Sequence, residues 1–566
     1  MHDLYKRFTA RQDAAGTRAA GADGAVGSAF FTADWDRVRA ARHDVIVIGT
    51  GPAGVAFIER TLENNPHARI LVLERGGYWL PLHYQMLPPA FQDAVKAPAL
   101  DWPWTRAAVP ASVSAPTTAP VAVTSGGVPF EQAGTVAMLG GRSTCWGAWC
   151  PAPEPDQLRG WPQALVDLTL RPGFWDEARA FLHVTTADRI DDSVYGCLQR
   201  QLDINLRENV GRLVPSAEDV YAAPLAVGHS EWQGVKFHKY SSVGALLGLQ
   251  QRQKALAARG LGKALTIVDR CPVERLLHDG RGTVTALATA RGQLDIGDAK
   301  IVLAMGTIPP ATLLMHSFGG LLPNAGRRYT GHFMSRFTAR VKRSAFRDLA
   351  ALELGAHYLH GRAKNDLQYH VQVSAFASSQ PQHDYPTIAC EAPDAAAMAS
   401  LAQLRGSEDH VLFVCTALGE IGETGAGNRV RPDGNAGASL HLQAGPMELA
   451  LWDLLDDATC QTIEALASRH GSKPLIEYWV GEDEDNGGWQ PVRPPRAQVR
   501  LPVVVHEAST LWIGDDPGNS VVGLDYRPHG VHNVYVTGGA LFPTAGSWNP
   551  TLTVCALAQH LADNLS

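Results

Sequence analysis

His506 and Asn549 are the two residues of this chain whose types could break a bond together. A neutral imidazole can take a proton from an alcohol. A carboxamide can hold the same oxygen by donating a hydrogen bond. Asn549 stands in the run Phe542-Pro543-Thr544-Ala545-Gly546-Ser547-Trp548-Asn549-Pro550-Thr551-Leu552-Thr553. Trp548, directly before it, is the aromatic residue placed to touch a substrate. An alcohol that loses its hydroxyl proton still has a hydride to give up, and the other end of the chain announces an acceptor. There Val45-Ile46-Val47-Ile48-Gly49-Thr50-Gly51-Pro52-Ala53-Gly54 contains a Gly-x-Gly-x-x-Gly pattern. Gly49, Gly51 and Gly54 permit a tight turn and close approach of a pyrophosphate to a helix N-terminus, where N–H groups and the helix dipole favour an anion. Glu74 ends the next apolar run, where a carboxylate can accept bonds from both ribose hydroxyls and disfavours a 2′-phosphate. This fingerprint alone fits FAD or NAD.

Those residues need elements to position them. Residues 45–48 read as a strand buried on both faces. A helix over 55–65 and a strand over 68–74 complete a β-α-β unit. Residues 80–135, rich in Pro, Ala and Thr, read as a long loop serving a site or an interface. Residues 140–147 (Gly-Gly-Arg-Ser-Thr-Cys-Trp-Gly) read as a tight loop. A helix starts within 172–179, and another spans 242–261 with Gly262 as its stop. Strands are expected at 265–268, 284–289 and 300–304, the last bending at Gly306. Farther on come strands at 367–375 and 411–416 and a helix at 458–469. No internal repeat is visible.

Four collinear stretches resemble the glucose–methanol–choline (GMC) oxidoreductases. They are 45–54, 140–147, 301–314 (Ile-Val-Leu-Ala-Met-Gly-Thr-Ile-Pro-Pro-Ala-Thr-Leu-Leu) and 506 to the C-terminus. The Ser-Thr-Cys-Trp segment and the Asn-Pro-Thr-Leu-Thr ending are most similar to the pyranose oxidase-like bacterial sugar oxidoreductases. The resemblance implies an α/β protein with an α+β second domain. Residues 40–150 with 262–340 and 500–566 would form an FAD-binding Rossmann-like domain of discontinuous segments. Residues 151–261 with 341–499 would form a substrate domain with a mixed or antiparallel sheet and helices. Residues 1–39 are expected to be an arm, poorly ordered or draped on the surface.

The same resemblance implies FAD, held by Gly49, Gly51, Gly54, Glu74, Gly141, Ser143, Cys145, Trp146, Val273, Gly306, Gly539, Asn549, Pro550 and Thr551. It implies that His506 and Asn549 face the flavin and oxidise a CH–OH group of a sugar or glycoside by hydride transfer to N5. Oxygen, a quinone or a protein would then take the electrons. Alternatives on the same fold are a non-sugar alcohol with an acceptor other than oxygen, and lyase or decarboxylase chemistry. Three departures stand out. Ser509 replaces the Gly of a His-x-x-Gly-Thr pattern. Trp146 stands where an Asn is usual near the flavin. Cys145 stands where covalently flavinylated pyranose oxidases have a His, which raises the idea of a thioether link, although a small buried thiol beside non-covalent FAD is the favoured reading.

Composition narrows the rest. With 566 residues, two domains are the default. Apolar content of 45% and charged content of 19% belong to a folded globular chain. A net charge of −7 gives no footprint for nucleic acid. No apolar stretch reaches the roughly 20 residues of a membrane span. The first thirty residues lack the pattern of a secretory leader, and the eight cysteines contain no Cys-x-x-Cys pair. A reducing cytoplasm is therefore the expected compartment. His529 and His532 are read as a surface turn and not a metal site, because no carboxylate or Cys completes a ligand set. The glycine-rich stretch 422–427 is read as a loop of the substrate domain.

Overall fold

The computed structural model describes residues 25–78, 80–87, 122–124, 136–190, 194–227, 230–232, 235–237, 239–394, 398–423, 427–433, 437–469, 473–481 and 486–566. Most of the 80–135 excursion and residues 1–24 of the expected arm lie outside them.

The four apolar residues Val45–Ile48 form a strand buried on both faces. They pair in parallel with Lys300–Leu303 on one side and Ile70–Leu73 on the other. Val534–Val536 and Thr266–Val268 complete a five-stranded parallel sheet. Helix Pro52–Asn64 packs beside the C-terminal helix Thr551–Leu565. Both helices therefore begin at the same end of the sheet, beside the turns that follow its strands. Residues of the expected arm are tied down here. Helices Ala25–Phe30 and Trp35–Ala40 flank a buried Phe31, and Thr32 donates its N–H to the Ile267 carbonyl at 2.9 Å.

The second layer is an antiparallel sheet of eight strands. Its centre is Thr330–Lys342, His410–Glu420, Gln368–Ser378 and Leu352–Arg362. Ala217–Ala222 adds to Leu352–Arg362 at one edge. At the other edge, Arg500–Ala508 pairs along residues 330–335, and Ile476–Val480 pairs along 339–341. The strands Thr330–Lys342 and Arg500–Ala508 fall within the expected dinucleotide segments, yet both pair in this antiparallel sheet. Helices Cys197–Leu213 and Pro446–Ala467 cover one of its faces. The chain is thus a mixed α/β protein with one parallel and several antiparallel sheets.

Three helix boundaries differ from expectation, the first being helix Pro52–Asn64, which begins three residues before 55 with Pro at its first position. Helix Ser242–Ala258 stops at Gly260, which takes the left-handed φ of +72°, and not at Gly262. Gly262 has a packing role: a Cβ there would lie 2.8 Å from the Pro66 carbonyl oxygen. The late helix starts at Pro446, well before 458, because Glu448 folds back to accept from the Gly445 N–H at 2.8 Å. Among the described residues, no helix is long and apolar enough to cross a membrane.

Candidate active site

A cavity of about 480 Å³ runs from the parallel sheet to the large antiparallel sheet. Its walls include Gly49, Gly51, Glu74, Gly141, Cys145, Trp146, Val273, Gly306, His506, Gly539, Asn549, Pro550 and Thr551. Residues distant in sequence therefore meet around one space.

At one end, helix Pro52–Asn64 opens onto the cavity with Gly51 as its N-cap and no side chain capping it. The first N–H groups of a helix have no partner within it, so these are available to an anion. A Cβ on Gly51 would meet nothing within 4 Å, so the space beside it is open. Gly54 does not line the cavity. A Cβ there would lie 2.4 Å from the Gly49 carbonyl oxygen, so its bareness lets the helix sit on the turn. The helix Thr551–Leu565 also starts at the cavity without a side-chain cap.

Glu74 is more occupied than its sequence position suggests. Thr50 donates to Oε2 from its N–H (3.1 Å) and its hydroxyl (2.6 Å), and the Gly76 N–H donates to Oε1 (2.8 Å). That leaves about one of its roughly four acceptor sites, not the two that gripping both ribose hydroxyls would take. Beside it, the half-buried Arg75 lines the cavity with its inward Nη2 unpartnered. An orphaned guanidinium nitrogen and two open helix N-termini suit an elongated anionic dinucleotide.

At the other end, His506 lies on strand Arg500–Ala508, whose pairing with Thr330–Lys342 slips on both sides of His332. The irregularity re-aims side chains, and His506 takes a left-handed φ of +57°. Such strain in a non-glycine residue persists where surrounding structure enforces it. Ser509, three residues on, has φ of +71°. That value explains why a Gly is usual at this place: it alone adopts the conformation without a Cβ penalty.

A proton relay sets the tautomer of His506. His332 Nε2 faces the Gly546 carbonyl at 2.8 Å, and its Nδ1 faces His506 Nδ1 at 3.0 Å. A carbonyl only accepts, so His332 Nε2 carries its hydrogen. Burial brings the His332 imidazole down to about 4, so at neutral pH its Nδ1 is bare and accepts. His506 Nδ1 must then carry a hydrogen and donate it. Burial, then the neighbouring His332 and Arg142, hold His506 well below its ordinary value. His506 is therefore neutral, with a bare Nε2 and a side chain on the cavity wall. A base needs that arrangement.

Asn549 is oriented in a parallel way. Gln372 Nε2 donates to Asn549 Oδ1 at 2.8 Å and approaches His370 Nε2 at 3.2 Å. With its oxygen tied, the Asn549 amide presents its N–H₂ group as a donor. Arg142 and Glu507, both on the cavity wall, form a two-pronged pair at 2.5 and 2.7 Å. The pair fixes the 140–147 loop to the strand that carries His506.

Besides Gly54, two residues read as site residues from sequence sit elsewhere. Trp548 is buried against Trp161 and Phe542, and its Nε1 donates to Thr553 Oγ1 at 3.1 Å. It braces the loop before Asn549 and does not touch the cavity. Ser143 turns its hydroxyl to the Gly140 carbonyl (2.7 Å) and accepts from the Ser242 N–H (2.8 Å), holding the loop's shape. Trp146 lines the cavity with Nε1 fixed on the Tyr240 carbonyl at 2.9 Å. Burial pushes the Cys145 thiol up to about 12. His529 and His532 point apart, to Ser520 and to the Arg281 carbonyl. His332, Gln372, Arg142 and Glu507 were not evident from sequence.

One cavity thus joins a dinucleotide-like turn to a polarised His–Asn pair. The pattern of the family described as GMC oxidoreductase matches residues 476–558, which include His506 and Asn549. A paromamine 6'-oxidase of Streptomyces fradiae is 46% identical over 57 residues, a stretch covering 10% of this chain and 10% of that protein. The fold is similar to that of pyridoxine 4-oxidase from Mesorbium loti, with a TM-score of 0.56 and 16% identity over 92% of this chain and 99% of the other. It is also similar to a variant of Aspergillus oryzae RIB40 formate oxidase made to study FAD modification, with a TM-score of 0.55 and 13% identity over 93% and 98% of the two chains. Residues 476–558 thus match the GMC oxidoreductase pattern, and the fold as a whole is similar to that of two oxidases.

Proposed function

We propose that the chain uses FAD to oxidise a CH–OH group of a small alcohol of the sugar or glycoside class to the carbonyl. The observation that carries this reading is the relay from the Gly546 carbonyl through His332, which leaves His506 Nε2 as a bare base on the cavity wall. FAD, when bound, would supply the hydride acceptor. Gly51, Arg75 and the starts of the two helices would hold its dinucleotide portion. His506 would take the hydroxyl proton, and Asn549 would donate to the same oxygen as negative charge builds on it. The relation to an oxidase of paromamine supports a sugar-like alcohol as substrate. Mixing the FAD-loaded protein anaerobically with a panel of sugars, glycosides, polyols and simple alcohols tests the reading. Loss of oxidised-flavin absorbance with members of that panel is expected, and an unchanged spectrum with every alcohol would refute it.

FAD is held without a covalent bond on this account. A thioether at Cys145 would require its thiolate as nucleophile, and a thiol raised to about 12 is protonated at pH 7. Denaturation followed by filtration is expected to release all the flavin into the filtrate. Flavin retained on the polypeptide would overturn this point.

The relay makes a separate demand on His332. Replacing it by phenylalanine removes the acceptor that fixes the His506 tautomer. Flavin reduction by substrate is expected to slow about 10–100-fold, the usual scale for a group that orients another, with FAD content preserved. His332→Gln keeps an acceptor and a donor and should recover part of the rate. Equal rates in His332→Phe and the parent would show that the relay is idle.

A further inference from the structure

Asp394 is a carboxylate on the wall of the same cavity, and three features hold it there. It follows helix Pro381–Glu391 in a left-handed conformation, with φ of +53°, a region that Asp enters more readily than most residues other than glycine. Gly147 is cut away beneath it, since a Cβ on Gly147 would lie 2.1 Å from Asp394 Oδ1. Trp149 clamps it from the side, with Nε1 donating to Oδ2 at 2.5 Å. The carbonyl of the preceding Pro393 is held by Ser374. Ser374 is two residues along its strand from Gln372, about 7 Å, and Gln372 holds Asn549. The carboxylate and the His–Asn pair therefore share one chamber.

No ion pair satisfies this acid among the described residues. Lys239 acts on it electrostatically, but its three N–H bonds go to Gln85 Oε1 (2.6 Å) and the carbonyls of Ala389 and Ala392 (2.8 Å each). Arg142, which acts electrostatically on His506, is engaged by Glu507. Asp394 is half-buried on the cavity wall, and burial raises its carboxyl above the ordinary value, so a cation brought by a ligand would favour its charged form. Trp146 and Trp149 also line this cavity, and indole faces favour a cation.

We infer that Asp394 anchors a protonated amino group of the substrate, so that the alcohol oxidised beside His506 is an amino alcohol of the amino-sugar kind. The inference rests on the alcohol-oxidising reading above and names its substrate class. Asp394 would recognise and position, while His506 and Asn549 would do the chemistry.

The test compares amino sugars and simple amino alcohols with partners in which hydroxyl or N-acetyl replaces the amine. Binding is measured by calorimetry on the FAD-loaded protein, and flavin reduction by anaerobic mixing. The amine-bearing member of each pair is expected to bind about 100-fold more tightly, the scale of one desolvated charge pair. In Asp394→Asn, which keeps an acceptor for Trp149, that ratio should fall toward one. If neutral and amine-bearing alcohols bind alike in the parent protein, or if the ratio survives in Asp394→Asn, the amine site is refuted. Flavin bleaching by neutral alcohols in that case would leave the oxidation reading standing. Amine binding that depends on Asp394, with no alcohol bleaching the flavin, would support the site and refute the oxidation reading instead.

Discussion

His506→Ala is expected to retain FAD and to lose most of its flavin reduction by the alcohol, by about 10²–10⁴-fold. The reason is local. His506 is the residue whose Nε2 is left bare by a closed chain of donors and acceptors ending on the Gly546 carbonyl. Alanine would remove the base while leaving the open helix N-termini and Arg75, far along the cavity, as they are. The pH dependence follows from the direction of the shift. Because burial, then His332 and Arg142, hold the imidazole well below its ordinary value, the base is already deprotonated at neutral pH. The reduction rate of the parent protein is therefore expected to be flat through neutral pH and to fall only in acid, as Nε2 gains its proton. Rapid-mixing kinetics across pH, with the alanine variant alongside, measures both effects. A variant that is reduced at full speed would remove His506 from the chemistry.

Asn549→Ala is expected to cost about 2.7–4 kcal/mol of transition-state stabilisation, the scale of one lost donor to a developing oxyanion. The amide is useful because it is held one way round. Gln372 donates to its oxygen at 2.8 Å, which turns the N–H₂ group outward. Asn549→Asp should do worse than alanine, because a carboxylate in the same place cannot donate when ionised and repels a forming alkoxide. Asn549→His retains a donor and should keep part of the rate. Limiting reduction rates for the three variants give the order, and an aspartate variant as fast as the parent would exclude the donor role.

The ends of this site were legible in the sequence, and its middle was not. The turn after Val45–Ile48 could be read because a buried strand, three spaced glycines and a helix give a local pattern. His506 and Asn549 could be read because their neighbours match a family. Of the strands that orient them, Gln368–Ser378 was expected at 367–375, whereas Thr330–Lys342 was not. Leu352–Arg362 reads Leu-Glu-Leu-Gly-Ala-His-Tyr-Leu-His-Gly-Arg, with glycines and histidines that argue against a strand, yet almost all of it is buried. Thr330–Lys342 is likewise buried along both faces, so no alternation marks it. One face of this sheet meets helices and the other meets the cavity, and the polar residues on the cavity side serve the site. His332 and Gln372 are invisible to periodicity for that reason. Trp548 shows the converse error. Its position beside Asn549 suggested contact with substrate, but its ring points into the core with Trp161 and Phe542.

The most direct measurement is a crystal structure of the FAD-loaded protein with a substrate analogue. The account expects the isoalloxazine ring beside His506 and Asn549, with the analogue's hydroxyl oxygen within hydrogen-bond reach of both His506 Nε2 and the Asn549 amide nitrogen. A ring bound away from that pair, or a hydroxyl that engages neither group, would contradict it.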